Sequence, residues 1–274
     1  MLELQADALA HVYRQGGVRA LDGVDLRIGP GERVAIVGQN GSGKSTLVRH
    51  LNGLLRPTEG RILIDGADAR DRRVAELAGL IGVVFQDPDR QIFSGSVIEE
   101  VRFGPRNLGR RGTELSDAVS EALEATGLSG QESRNPYDLG QSRRKLLGLA
   151  SVLAMRTSVL VLDEPTAGLD RDGIARVRSV VESVSGAGRT VIAISHDMEF
   201  VAELFSRVVV MRAGRVILDG SAPEVFDARN REVLRSTNLE APFAARVAER
   251  MALASAVTES AVVAGLLSSA RAAQ

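Results

Sequence analysis

Residues 38–45 read Gly-Gln-Asn-Gly-Ser-Gly-Lys-Ser, the spacing G-x-x-x-x-G-K-[ST] of a phosphate-binding loop. They follow the apolar run Arg33-Val34-Ala35-Ile36-Val37 and precede Thr46-Leu47-Val48-Arg49-His50-Leu51, which reads as a helix. Between strand and helix, glycines let successive N–H groups turn inward around a phosphate chain, and the positive end of the helix strengthens that field. The stretch Gly38, Gln39, Asn40, Gly41, Ser42, Gly43, Lys44, Ser45 and Thr46 is therefore expected to hold a nucleoside triphosphate. Lys44 is placed to reach the β- and γ-phosphates, and the Ser45 hydroxyl to ligate Mg²⁺.

Two further apolar runs end in reactive residues. Ser158-Val159-Leu160-Val161-Leu162 leads to Asp163-Glu164-Pro165, and Thr190-Val191-Ile192-Ala193-Ile194 leads to Ser195-His196-Asp197. Continuous Val/Ile/Leu runs of this length predict strands buried on both faces, hence a parallel sheet in an α/β fold. Ligands of such sheets bind beyond the carboxyl ends of the strands, so all three reactive groups are expected around one nucleotide. Asp163 is placed to hold the Mg²⁺ shell through water, and Glu164 to orient or polarise an attacking water.

The rest of the chain is organised around this core. Alternation over Leu21–Ile28, the turn Gly29-Pro30-Gly31-Glu32 and the run Arg61-Ile62-Leu63-Ile64 predict an antiparallel β lobe. Helical spacing appears over about 114–126, again from near Gln141, and in Phe243–Met251. No strand pattern follows Gly220, so 221–274 reads as an accessory segment.

Composition excludes several functions. A net charge of -1 and 3% aromatic residues with no Trp argue against a nucleic-acid binder. Cys is absent, which removes disulfides, thiol catalysis and Cys-based metal sites. The acidic start Met1-Leu2-Glu3-Leu4-Gln5-Ala6-Asp7 is unlike a secretory signal, and no apolar run is long enough to span a bilayer. If the protein acts at a membrane, another chain supplies the span.

Beyond the phosphate loop and the Asp163-Glu164 pair, Pro165-Thr166-Ala167-Gly168-Leu169-Asp170 and His196 complete a pattern that resembles the ATP-binding cassette (ABC) ATPases, over roughly residues 1–220. The resemblance implies an ABC-type nucleotide-binding domain over 1–220 with a helical subdomain at about 87–150. It implies that Gln86 contacts Mg²⁺ and the attacking water, and that His196 contacts the γ-phosphate and holds that water with Glu164. Tyr13 resembles the family's adenine-stacking aromatic, an aromatic on a half-buried strand being the plainer reading. Asp170 resembles the residue that carries contacts between two ATPase subunits, and a helix N-cap would be compatible with that. His50 reads as structural, and His11 carries no functional expectation. Arg143-Arg144-Lys145 at a helix start is either a solvated face or needs a negative neighbour.

Phe85-Gln86-Asp87-Pro88-Asp89-Arg90-Gln91-Ile92-Phe93 and Val101-Arg102-Phe103-Gly104-Pro105-Arg106-Asn107-Leu108-Gly109 are similar to the energy-coupling-factor and cobalt-type ATPases, which drive import of vitamins or transition-metal ions. Asn238-Leu239-Glu240-Ala241-Pro242-Phe243 resembles that group's C-terminal extension. The implied assembly is a second ATPase subunit, an integral membrane coupling protein and a membrane solute-binding component, with this chain peripheral on the cytoplasmic face of the membrane. A soluble ABC ATPase of the DNA-repair or translation type is the rival. Against it stand the single phosphate loop and the lack of any heptad run between Gln86 and Leu139.

One motif departs from the family. Its signature, typically Leu-Ser-Gly-Gly-Gln, addresses the ATP held by the opposite subunit; here Leu139-Gly140-Gln141-Ser142-Arg143 stands in its place. A glycine at 140 removes one hydroxyl, and a hydrogen bond to a charged acceptor contributes about 1.5–3 kcal/mol. Either Ser142 and Arg143 replace it from a shifted position, or the composite site is weak. The intact loop, Glu164 and His196 beside an altered signature point to a different partner ATPase and two unequal sites.

Overall fold

The computed structural model describes residues 2–251, 253 and 256–272. Strands β1 (Leu4–Val12), β2 (Arg19–Ile28), β3 (Arg33–Val37), β4 (Glu59–Ile64) and β5 (Ala67–Asp68) come first, with α1 (Lys44–Leu51) after β3. Helix α2 (Val74–Leu80) leads into β6 (Ile81–Val84). Helices α3 (Val97–Asn107), α4 (Gly112–Thr126) and α5 (Gln141–Leu153) follow, then β7 (Val159–Asp163), α6 (Arg171–Gly186), β8 (Thr190–Ile194), α7 (Met198–Leu204), β9 (Arg207–Arg212) and β10 (Arg215–Ser221). Helices α8 (Ala222–Val225), α9 (Arg231–Arg235), α10 (Phe243–Arg250) and α11 (Glu259–Ala272) complete the described chain.

Two sheets form, as the two hydrophobic patterns require. The six-stranded sheet runs β10-β9-β3-β8-β7-β6. Its neighbours from β9 to β6 are all parallel, and β10 closes the edge antiparallel to β9. The alternating N-terminal segments form the antiparallel sheet β2-β1-β4-β5. Strands β1, β5, β6, β9 and β10 lie outside the sequence-based expectation, which rested on apolar runs that end in chemically suggestive residues and on the alternation of the N-terminal lobe.

Because side chains alternate along a strand, each central strand feeds two cores. Val34, Ile36, Val159, Val161, Ile192 and Ile194 pack toward the β lobe and α1, with Leu4, Leu26, Ile62 and Leu47. Ala35, Val37, Leu160, Leu162, Val191 and Ala193 pack toward the helices, with Leu147, Val181 and Phe200. Helices α3, α4 and α5 pack on one another, and α4 ends where Gly127 takes a left-handed φ of 67°.

The chain past Ser221 shares the second of these cores. Phe226, Leu234, Leu239 and Val257 belong to it, while Ala244, Ala248, Ala256 and Val262 form a small cluster of their own. Polar contacts add to the attachment: Arg212 donates to Ser236 Oγ at 2.6 Å, the Phe243 amide to Glu199 at 2.9 Å, and Asn238 Nδ2 to Gln39 Oε1 of the phosphate loop at 3.3 Å. Asn238 has a φ of 55°, a conformation that Asn tolerates better than most residues.

Leu234 is 2% exposed, so Leu234→Ala leaves a cavity in the main core rather than in a peripheral appendage. The expected loss of global stability is about 2–4 kcal/mol by denaturant titration. A change near zero would mean that the C-terminal segment is only tethered.

Candidate functional site

The phosphate loop leaves β3 at Val37 and enters α1 at Lys44. Two glycines are required by space as well as by φ. At Gly38 (φ 148°) a Cβ would lie 2.2 Å from the Met211 carbonyl, and at Gly43 (φ 105°) 2.5 Å from that of Ala20. The hairpin β9–β10 also braces the loop directly, since the Gly214 amide donates to the Ser42 carbonyl at 3.0 Å. Lys44 is buried, and its ammonium donates to the carbonyls of Gly38 at 2.6 Å and Gln39 at 2.9 Å.

One cleft of about 560 Å³ gathers residues far apart in the chain. Its walls include Tyr13, the loop from Asn40 to Thr46, and Gln86, Asp163, Glu164 and His196. The register explains the convergence: β8 lies between β3 and β7, with Val161 opposite Ile192 and Val34 opposite Ile192 on the other side. The three strands therefore end side by side on the same edge. Gly38 and Gln39 form the base of the loop and do not line the cleft.

Glu164 is held firmly. Its φ of 49° is left-handed for a residue with a side chain, a strained conformation that surrounding structure must enforce. Its amide donates to the Ile194 carbonyl at 2.9 Å, and its Oε2 accepts from the His196 amide at 3.2 Å. Burial pushes the Glu164 carboxyl up from its ordinary value, the His196 amide opposes this, and the Asp163 charge adds to it. Burial likewise raises Asp163, against a hydrogen bond from Ser45. For Lys44 burial lowers the ammonium's proton affinity, and Glu164 and Asp163 offset that.

His196 Nε2 lies 3.1 Å from Asn40 Oδ1 and 3.2 Å from Glu164 Oε1. Two oxygen acceptors facing one ring nitrogen assign the hydrogen to Nε2. Burial, then the nearby Lys44 charge, lowers the proton affinity of this ring and favours neutral imidazole.

Several other expectations resolve in detail. Asp170 is the N-cap of α6 and accepts from the Gly173 amide at 2.8 Å. Tyr13 places its hydroxyl 3.1 Å from Thr46 Oγ1. The basic run divides: Arg144 pairs with Asp89 at 3.2 Å, while Lys145 donates to the carbonyls of Glu164 and Ala167. Arg143 is exposed. Lys145 thereby ties α5 to the turn carrying Glu164, a role that the helix pattern alone does not reveal. Gln91 does similar work for the segment carrying Gln86, accepting from the Phe85 amide at 3.1 Å and donating to the Gly148 carbonyl at 2.7 Å.

Leu139, Gly140, Gln141, Ser142 and Arg143 do not line the cleft. Gly140 is the N-cap of α5, with no side-chain hydrogen bond there. Ser142 Oγ donates to Asp170 Oδ1 at 3.2 Å. Its single hydrogen is committed, which leaves no hydroxyl donor from this motif to offer a phosphate.

Comparison with known proteins agrees with this arrangement. Residues 21–167 match the ABC transporter family. The energy-coupling factor transporter ATP-binding protein EcfA of Methanothermobacter thermautotrophicus is 40% identical over 256 residues, 93% of this chain and 81% of that protein. EcfA1 of Symbiobacterium thermophilum is 47% identical over 234 residues, 85% of this chain and 80% of that one. The structure of cbiO1 from Clostridium perfringens, described as part of the ABC transporter complex cbiONQ, superposes with a TM-score of 0.74 at 38% identity, covering 91% of this chain and 98% of that one. A parallel-sheet ATP cleft and these likenesses, which extend well past residue 220, have one reading: the chain belongs to the ABC transporter ATPases, among the energy-coupling factor transporter ATP-binding proteins.

Proposed function

We propose that this ATPase powers import of a vitamin or a transition-metal ion through a separate membrane complex, as a peripheral subunit on the cytoplasmic face. The observation that carries the reading is the cleft itself, which joins the phosphate loop to Glu164 and His196 and excludes residues 139–143. A cleft with one such wall suits a head-to-tail pair, in which each ATP lies between one subunit's loop and the other's signature. Among the described residues no helix is long and apolar enough to cross a membrane, so an integral coupling protein and a membrane solute-binding component would supply the path. The domain limits that go with this reading are 1–220 for the nucleotide-binding domain, about 87–150 for its helical subdomain and 221–274 for the accessory segment.

In the proposed chemistry the amides of Gly38–Thr46 and the Lys44 ammonium bind the β- and γ-phosphates, and positioning with charge neutralisation supplies most of the catalysis. Glu164 polarises the attacking water; a carboxylate whose affinity for protons is raised by burial is a better base. His196, beside Glu164 at the end of β8, would hold that water together with Glu164 and contact the γ-phosphate. Asp163 and Ser45 line the same cleft, and no group of three His, Cys, Asp or Glu side chains forms a metal cage among the described residues. That donor set fits magnesium, which takes few protein ligands and completes its shell with water and phosphate oxygens. Ser45, Gln86 and, through water, Asp163 would hold it, and when bound it supplies charge neutralisation at the phosphates. Asp170 would lie at the subunit contact. Closure on ATP would move the membrane partner through the surface near Gln86–Phe93.

The committed Ser142 hydroxyl favours the view that this chain's signature contributes weakly, and that the partner ATPase is a different chain. A Cβ at Gly140 meets no atom within 4 Å, so a serine fits there. In the assembled complex Gly140→Ser is expected to raise turnover or ATP affinity by roughly tenfold. An unchanged rate would mean that the present motif already works.

Glu164→Gln is expected to lower turnover by about 10²–10⁴-fold and to trap an ATP-bound dimer. Its effect on stability has a definite sign. The folded-state pKa of Glu164 lies above its unfolded value, so the ionised form opposes folding; that cost is absent below the unfolded pKa and grows as pH rises through the folded one. The variant should therefore melt higher than the parent at pH 7, with the difference vanishing near pH 4. Rapid turnover by this variant would remove Glu164 from the base role.

The assembly itself is tested by purifying the tagged chain from gently solubilised native membranes and identifying its partners by mass. A second, different ATPase with integral membrane proteins is the expected result. Recovery with soluble proteins alone would overturn the import reading.

A further inference from the structure

Two buried histidines lie behind the cleft, and the phosphate chemistry uses neither. His50 on α1 is 1% exposed and His11 on β1 is 7% exposed. Buried polar rings require partners, and these have a specific set. His50 Nδ1 lies 2.7 Å from the Thr46 carbonyl, which can only accept, so Nδ1 carries the hydrogen. His50 Nε2 lies 3.1 Å from His11 Nδ1. His11 Nδ1 is also 3.2 Å from the Arg56 carbonyl, again an obligate acceptor. One hydrogen on each Nδ1 satisfies all three contacts; a second hydrogen on His50 would oppose the one on His11. Burial lowers the proton affinity of His50, in keeping with a neutral pair.

The His11 ring fixed in this way meets Tyr13 edge-on, with centroids 4.7 Å apart and planes at 83°, the favourable arrangement for an aromatic pair. The other end of Tyr13 reaches Thr46 through its hydroxyl. Thr46 thus serves both ends of the chain of contacts, its carbonyl on His50 and its hydroxyl on Tyr13. It follows Lys44 and Ser45 directly in α1.

We propose that His11 and His50 are positioning residues for the nucleotide base, holding Tyr13 in one orientation and keying it to the helix that carries the phosphate-binding residues. The inference rests on the reading of Tyr13 as the adenine platform. Base seat and phosphate seat then move as one unit, so a mispositioned Tyr13 weakens recognition of the base and leaves recognition of the phosphates intact.

The test compares ATP with inorganic tripolyphosphate, which lacks the base, by calorimetric binding to the full chain with Mg²⁺. His50→Phe and His11→Phe keep an aromatic ring and remove the relay. Both are expected to weaken ATP about three- to tenfold, a part of the stacking contribution, and to leave tripolyphosphate within about twofold. Tyr13→Ala should show the same split with a larger ATP loss. Should Tyr13→Ala affect both ligands equally, the adenine reading fails and the inference with it. Should Tyr13→Ala show the split while the histidine variants bind ATP as the parent does, the relay alone is refuted. Equal weakening of both ligands by the histidine variants would assign them a merely structural role and also overturn it. His11→Asn keeps an N–H donor for the Arg56 carbonyl and His50 while removing the ring beside Tyr13. It guards against misfolding, and ATP affinity unchanged in it would equally refute the proposal.

Discussion

An ammonium and two carboxylates occupy one cleft, all largely removed from water: Lys44, Asp163 and Glu164. Taking such groups out of water is costly, and their mutual attraction offsets the cost only when the geometry is held. Much of the fold supplies that geometry. Three neighbouring parallel strands bring the groups to one edge, the Ile194 carbonyl fixes the Glu164 turn, and the carbonyls of Gly38 and Gln39 receive the ammonium. The left-handed backbone at Glu164 is sustained by the same contacts, so strain and charge are stored in one place.

Polar contacts connect this cleft to the three-helix group. Lys145 reaches the Glu164 turn, Gln91 spans from the Phe85 amide to α5, and Arg144 meets Asp89. Apolar packing within each layer is dense and specific, whereas these links are a few hydrogen bonds and one exposed ion pair. A partly exposed ion pair of this kind contributes little on its own. What fastens the helical group to the sheet is the apolar core they share, with Val84, Leu160 and Leu162 packed beside Leu146, Leu147 and Leu149, and the polar links fix its orientation.

The sheet core and the gathering of the candidate residues in one cleft are legible because each rests on a local pattern. Buried parallel strands are continuous apolar runs, and the carboxyl end of such a run is where its ligand group must sit. That reasoning reaches Lys44, Asp163, Glu164 and His196 without any knowledge of tertiary contacts. It does not reach β1, whose Leu4-Gln5-Ala6-Asp7-Ala8-Leu9 is irregular because a register shift lies between Ala6 and Leu9. Nor does it reach the His11–His50 pair, the Asn238–Gln39 contact or the carbonyl ligands of Lys145. Each joins positions far apart in the chain through single polar atoms, and hydrophobic periodicity carries no trace of such pairings. Arg143-Arg144-Lys145 illustrates the limit: the sequence shows three adjacent cations, and only the fold separates an exposed one from a salt bridge and a backbone clamp.

The strict division of each central strand between two cores constrains how this chain can diverge. Apolar residues can exchange for one another within a strand at modest cost. A single inserted or deleted residue in β3, β7 or β8 would instead transpose every following side chain to the opposite face and carry the reactive group at its end out of register. Inheritance therefore has unequal freedom along the sequence. Within the strands a change of composition costs less than a change of length, and an inserted residue is best absorbed in turns such as Arg14–Gly17, where the chain is exposed.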